Sequence, residues 1–93
     1  MQEREVEKYL VERVKKIGGR AYKFVSPGNA GVPDRLACFP GGCVRFVEVK
    51  APGGKQTTLQ QNKAEELRRL GFEVRVVDSI EQVNQFMREV ISR

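Results

Sequence analysis

Two carboxylates and a lysine are the side chains of this sequence best placed to do chemistry. They lie in two short blocks, Gly31-Val32-Pro33-Asp34-Arg35 and, after a spacer of thirteen residues from Asp34, Glu48-Val49-Lys50. Side chains two apart on a strand share a face, so Glu48 and Lys50 point one way and Val49 the other. Val44 and Phe46 share the Glu48 face, which begins apolar and ends in two opposite charges at the strand tip. Asp34 stands where a loop enters the preceding strand, a position that falls beside this tip across a hairpin. Two acids so placed can hold a divalent cation and leave positions for water and phosphate. A neighbouring lysine can orient or deprotonate the attacking water and offset charge on a transferring phosphate. Glu48 and Lys50 alone also fit an exposed ion pair of little worth, and Pro-Asp is frequent in turns.

The rest of the composition narrows the chemistry. Histidine is absent, which removes every imidazole base, imidazole metal ligand and His-containing triad. Two cysteines cannot close a four-cysteine zinc site. A bound metal is therefore a hard cation held by oxygen: magnesium, manganese or calcium. Cys38 and Cys43 would face each other if the intervening turn is Pro40-Gly41. With no apolar signal segment at the N-terminus, an unexported protein with reduced thiols is expected. The formal charge is +5, from 17 Lys and Arg against 12 Asp and Glu, and the excess lies wholly in residues 1–70. That balance suits a polyanionic partner. Lys23, Ser26, Arg35 and Lys55 surround the proposed acid edge and are candidates for holding phosphates.

These residues need a scaffold. Ninety-three residues make one domain, 1–93, and no apolar run approaches the roughly 20 residues of a membrane span. Val6, Leu10, Val14 and Ile17 predict a helix over residues 3–17, stopped by Gly18-Gly19. Residues 20–25, 35–39 and 43–49 read as strands, the last two joined by Pro40-Gly41-Gly42. A second helix is predicted over 59–70, opened by a capping box of Thr58 with Gln61 or Thr57 with Gln60. A fourth strand follows at 72–77. A last helix, capped by Ser79 with Gln82, has Ile80, Val83, Phe86 or Met87, and Val90 on its inner face. Tyr22, Phe24, Phe39, Phe46, Phe72 and Phe86 are expected in the core, leaving no aromatic platform for bases. The order α-β-β-β-α-β-α predicts an α/β fold, a mixed central sheet flanked by helices.

Proline-aspartate, a spacer and glutamate-X-lysine on a hairpin resemble the signature of the PD-(D/E)XK nuclease superfamily. Within that superfamily the chain more closely resembles the VRR-NUC (virus-type replication-repair nuclease) domain in its small stand-alone phage form. The resemblance is carried by Lys23-Phe-Val-Ser-Pro-Gly28, Gly31-Val-Pro-Asp-Arg35, Phe46-Val-Glu-Val-Lys-Ala-Pro-Gly53 and Leu59-Gln60, and runs from residue 3 to about 85. It implies a restriction-endonuclease-like core and a magnesium- or manganese-dependent DNA endonuclease. Asp34, Glu48 and the main-chain carbonyl of Val49 would be metal ligands, with Lys50 positioning the nucleophilic water. A glutamate of the first helix would complete the site, Glu7 being preferred over Glu3. Gln60 would be the glutamine typical of the second helix, leaving Gln61 to cap Thr58. Stand-alone members resemble junction-resolving enzymes, so the resemblance implies a homodimer that cuts branched DNA such as Holliday junctions. No membrane and no nucleotide cofactor would be involved, and the protein would be cytoplasmic, phage-encoded and active in the host cell.

A different class of protein shares part of this pattern. Double-stranded RNA-binding domains are small and basic and also begin α-β-β-β-α. A non-catalytic module binding double-stranded RNA or DNA is therefore the alternative. It gains nothing from Asp34 and Glu48 beside a phosphate surface, and it lacks the strand at 72–77.

Overall fold

The computed structural model describes residues 1–92. Its elements are α1 (Glu3–Lys16), β1 (Arg20–Lys23), β2 (Arg35–Phe39), β3 (Cys43–Val49), α2 (Thr58–Arg69), β4 (Glu73–Val77) and α3 (Ile80–Ile91). The α-β-β-β-α-β-α order is the one read from the sequence. The strands form one mixed sheet in the order β1-β2-β3-β4, antiparallel between the first three and parallel between β3 and β4. The parallel pair follows from α2, because a crossover helix returns the chain in the same direction. The β2–β3 turn closes with the Gly42 amide donating to the Phe39 carbonyl at 3.3 Å. Pro40 presets its first corner and Gly41, at φ +86°, takes the positive-φ second corner.

The boundaries shift where an amide is already spent or a residue cannot pair. β1 ends at Lys23 rather than Val25. The Phe24 amide still donates to the Asp34 carbonyl at 2.9 Å, but the chain then turns, with the Asn29 amide bonded to the Ser26 carbonyl at 3.0 Å. β4 starts at Glu73 rather than Phe72, because the Phe72 amide bonds the Leu67 carbonyl at the end of α2. The cap of α2 is Thr57, whose box partner is Gln60. The Thr58–Gln61 box is thus not formed.

Helices cover the two faces of the sheet unequally. On one face Ala21, Ala37, Phe39, Val47, Val49 and Val77 pack with Val6, Leu10 and Val14 of α1 and with Val83, Phe86, Met87 and Val90 of α3. Both Phe86 and Met87 are buried, which the helical spacing alone left open. A hydrogen bond from the Tyr9 hydroxyl to Asn84 Oδ1 (2.5 Å) joins α1 to α3, and the Arg75–Glu89 ion pair joins β4 to α3. On the other face Phe46, Ala64 and Val74 form a smaller cluster with Phe24, Leu36 and Leu67. Only α2 packs on that side, and Tyr22 and Phe72 stay substantially exposed instead of entering the core. Cys38 pairs with Val44 and Cys43 with Phe39, so the two thiols lie on opposite faces and do not meet across the turn. Among the described residues no helix is long and apolar enough to cross a membrane.

Candidate active site

The acids meet because of register. Arg35 lies opposite Val47, and one step further along the same antiparallel ladder sets Asp34 opposite Glu48. The approach to Asp34 is fixed on both sides. Pro33 is fully buried, and Gly31 lies so close to α2 that a Cβ there would come within 2.8 Å of Leu59 Cγ. Asp34 Oδ1 accepts the Val49 amide at 3.1 Å. The carboxylate thus extends the β2–β3 ladder beyond its last backbone pair. On the other side of β3 the Lys50 amide donates to the Val77 carbonyl at 2.9 Å, so the strand tip is held from both neighbours.

Glu48 is 4% exposed, and its Oε1 is buried without a hydrogen-bond partner. An unsatisfied buried carboxylate oxygen is costly. Its carboxyl is pushed from an ordinary 4.5 up to about 7, first by desolvation and then by the charge of Asp34, against the opposing pull of Lys50. The Asp34 carboxyl is also raised, mainly by burial, with Glu7 and Glu3 adding repulsion and the Val49 amide opposing it. Two such carboxylates, one with a vacant buried oxygen, are hard donors whose repulsion a divalent cation would relieve. The residues therefore fit magnesium or manganese.

Lys50 is half-buried and its Nζ donates to Gln60 Oε1 at 2.8 Å. The same oxygen accepts the Thr57 amide at 2.9 Å, while the Gln60 amide donates to Thr57 Oγ1 at 3.1 Å. Gln60 therefore both caps α2 and holds Lys50, tasks that sequence reasoning divided between Gln60 and Gln61. Spacing located the capping box; only the tertiary fold brings the lysine to it.

The remaining candidates separate. Glu7 Oε2 accepts Arg35 Nε at 3.1 Å, and Arg35 Nη1 also bonds the Ala21 carbonyl at 3.0 Å. Arg35 thus ties α1 to the sheet on the α1 side. Glu3 acts electrostatically on both Asp34 and Glu48, Glu7 on Asp34. Among the described residues no three acids or thiols are gathered closely enough to form a metal cluster by themselves. Lys23 and Lys55 are exposed. Ser26 is half-buried, its hydroxyl accepting Asn29 Nδ2 at 2.9 Å. One residue was missed as a participant: Thr57, which fixes the Lys50 clamp through its amide.

Residues 2–81 match the model of the VRR-NUC domain. The chain is 54% identical over 79 residues to a protein named "Putative nuclease p44" from Acyrthosiphon pisum secondary endosymbiont phage 1, covering 85% of each. It is also similar to a solved structure titled "VRR_NUC domain", at 33% identity and a TM-score of 0.88 over 95% of this chain and 97% of that one.

Proposed function

This chain belongs to the VRR-NUC family of nuclease domains, and we propose that it is a magnesium- or manganese-dependent endonuclease of branched DNA such as Holliday junctions. The observation that carries the reading is the buried, partnerless Glu48 Oε1, opposite Asp34 and on one strand face with Lys50. Asp34, Glu48 and the Val49 carbonyl would hold the metal, with Glu7 or Glu3 of α1 the nearest further acids. A bound divalent cation would lower the pKa of water and offset charge on the phosphate.

The chain's own groups supply the positioning. Gln60 keeps the Lys50 ammonium beside Glu48, where it donates to the attacking water or a phosphate oxygen. Lys23 and Lys55 flank the edge as exposed cations for neighbouring phosphates. Resolving a four-way junction takes two symmetric cuts, and a homodimer is the simplest way to supply two sites. The phage relative supports a phage-encoded protein acting in a host cell. A non-catalytic module binding duplex nucleic acid is disfavoured, because Asp34 and Glu48 would repel the phosphates it must hold.

The test is cleavage of a fixed four-way junction and of linear duplex with magnesium, with manganese and with EDTA. Cleavage should need the metal and favour the junction. Asp34→Asn should lose several orders of magnitude in turnover while keeping its fold. Full activity in EDTA would end the proposal.

A further inference from the structure

The catalytic face of the sheet is only partly roofed. On that face α2 lies over β4, with Ala64 and Leu67 grouped with Phe46 and Val74. β1 is at the opposite edge of the sheet, and its Tyr22 is 53% exposed. Its neighbours decide which way Tyr22 points. Ala21 is packed in the core beneath α1, and Phe24 lies edge-on to Phe46 in the smaller cluster. Tyr22 therefore shares the Phe24 face, which carries Asp34, Glu48 and Lys50. Register gives the separation. Tyr22 is opposite Leu36, and Leu36 is opposite Phe46. The Asp34–Glu48 row is the next one on this face, about 7 Å along the strands. Arg20, exposed at the start of β1, falls on the same face one row further away.

We infer that this open strip seats the nucleotide beside the scissile phosphate, with its base against Tyr22, and that Tyr22 makes the site favour DNA unpaired at the point of cutting. The inference rests on the nuclease reading above and names the substrate feature that the same site selects. An aromatic ring offers a stacking face to any base without regard to sequence. A base inside continuous duplex must leave its helix to reach a ring on a strand, whereas a branch point is already partly unstacked. Nucleic acid is the occupant because the strip is continuous with the acid–lysine edge and carries exposed Arg20 on the same face, in a chain of net charge +5.

The experiment places 2-aminopurine at the branch point of a four-way junction and at the same sequence position in linear duplex. Each is titrated with protein in EDTA, and junction cleavage is then timed with manganese. Wild type and Tyr22→Phe should quench the junction probe, and Tyr22→Ala should not. Tyr22→Ala should raise KM for the junction about tenfold, with kcat, duplex affinity and melting temperature little changed. Persistent quenching or an unchanged KM in Tyr22→Ala overturns the inference. So does a Tyr22→Ala protein that changes from dimer to monomer by light scattering, which would make the strip a contact between copies. The titration needs no cleavage, so the two readings fail separately. A wild-type protein that quenches but never cuts sinks the nuclease reading alone. One that cuts junctions without quenching sinks the Tyr22 strip alone, and one that binds no DNA sinks both.

Discussion

Replacing Glu48 with glutamine should make the metal-free protein more stable at pH 8 while abolishing cleavage. Glutamine is a near-isostere of the protonated acid, so it keeps the packing and removes the buried charge. The folded carboxyl titrates at about 7 instead of 4.5, so the native state binds more protons than the unfolded chain between those values. The contribution of Glu48 to stability is therefore fully present below about pH 4.5, is lost as pH rises through 7, and then levels off. Fully expressed, a shift of that size corresponds to about 3 kcal/mol. Water at the strand tip screens part of it, leaving about 1–2 kcal/mol. For a domain this small that is a rise in Tm of about 5–15 °C for Glu48→Gln at pH 8, with little difference at pH 4.5. The assay is thermal melting of both proteins in EDTA at the two pH values. Magnesium should then narrow the gap, since a ligand at ten times its Kd adds about 1.4 kcal/mol to the protein that binds it. A Glu48→Gln protein that melts no higher than wild type at pH 8 would refute the claim that Glu48 is held as a buried, repelled carboxylate.

Lys50→Ala should lower kcat steeply and leave most DNA affinity, as expected when an interaction made in the transition state is removed; steady-state kinetics with filter binding decides it. Thr57→Ala and Gln60→Ala should each cost about 1 kcal/mol of stability by damaging the cap of α2. Only Gln60→Ala should also lower kcat, because the Thr57 amide that orients Gln60 survives the first change; urea melts beside single-turnover rates separate the two. Light scattering should give a homodimer, and cleavage mapping should give paired nicks at symmetric positions on opposing strands of the junction. Junction binding should weaken steeply with salt, since each phosphate contact releases counterions; a salt-independent affinity would refute binding through phosphate contacts.

What the sequence made legible was local or periodic. The element order, the parallel return of β4 and the opposition of Asp34 to Glu48 all follow from two-residue alternation, turn chemistry and a crossover helix. Boundaries slipped by a residue or two where an amide had a competing partner, as at Phe72, whose amide finishes α2 before β4 can use it. The capping box was legible as a choice between two registers, and packing selected Thr57–Gln60. Contacts between distant segments left no such trace. Nothing in the spacing of Glu7 and Arg35 announces that they meet, yet their ion pair fastens α1 to the sheet within electrostatic reach of Asp34.

The aromatics mark this limit most sharply, and they bear on how the site works. Ring chemistry alone predicts burial for Tyr22 and Phe72, and six of the seven aromatic residues read naturally as core. Their fate depends on how much of each face a helix covers, a three-dimensional quantity. Two helices cover the α1 side completely enough to bury Phe39 and Phe86. A single helix covers the other side, so it buries Phe46 and leaves Tyr22 in the open. At one end of that face Asp34 stays half-buried while Glu48 keeps its partnerless oxygen in the interior. A third helix over β1 and β2 would complete the core and cover the sheet face on which Asp34 and Glu48 stand. The thin packing on this side is therefore the structural condition for a large anionic substrate to reach Lys50 at all.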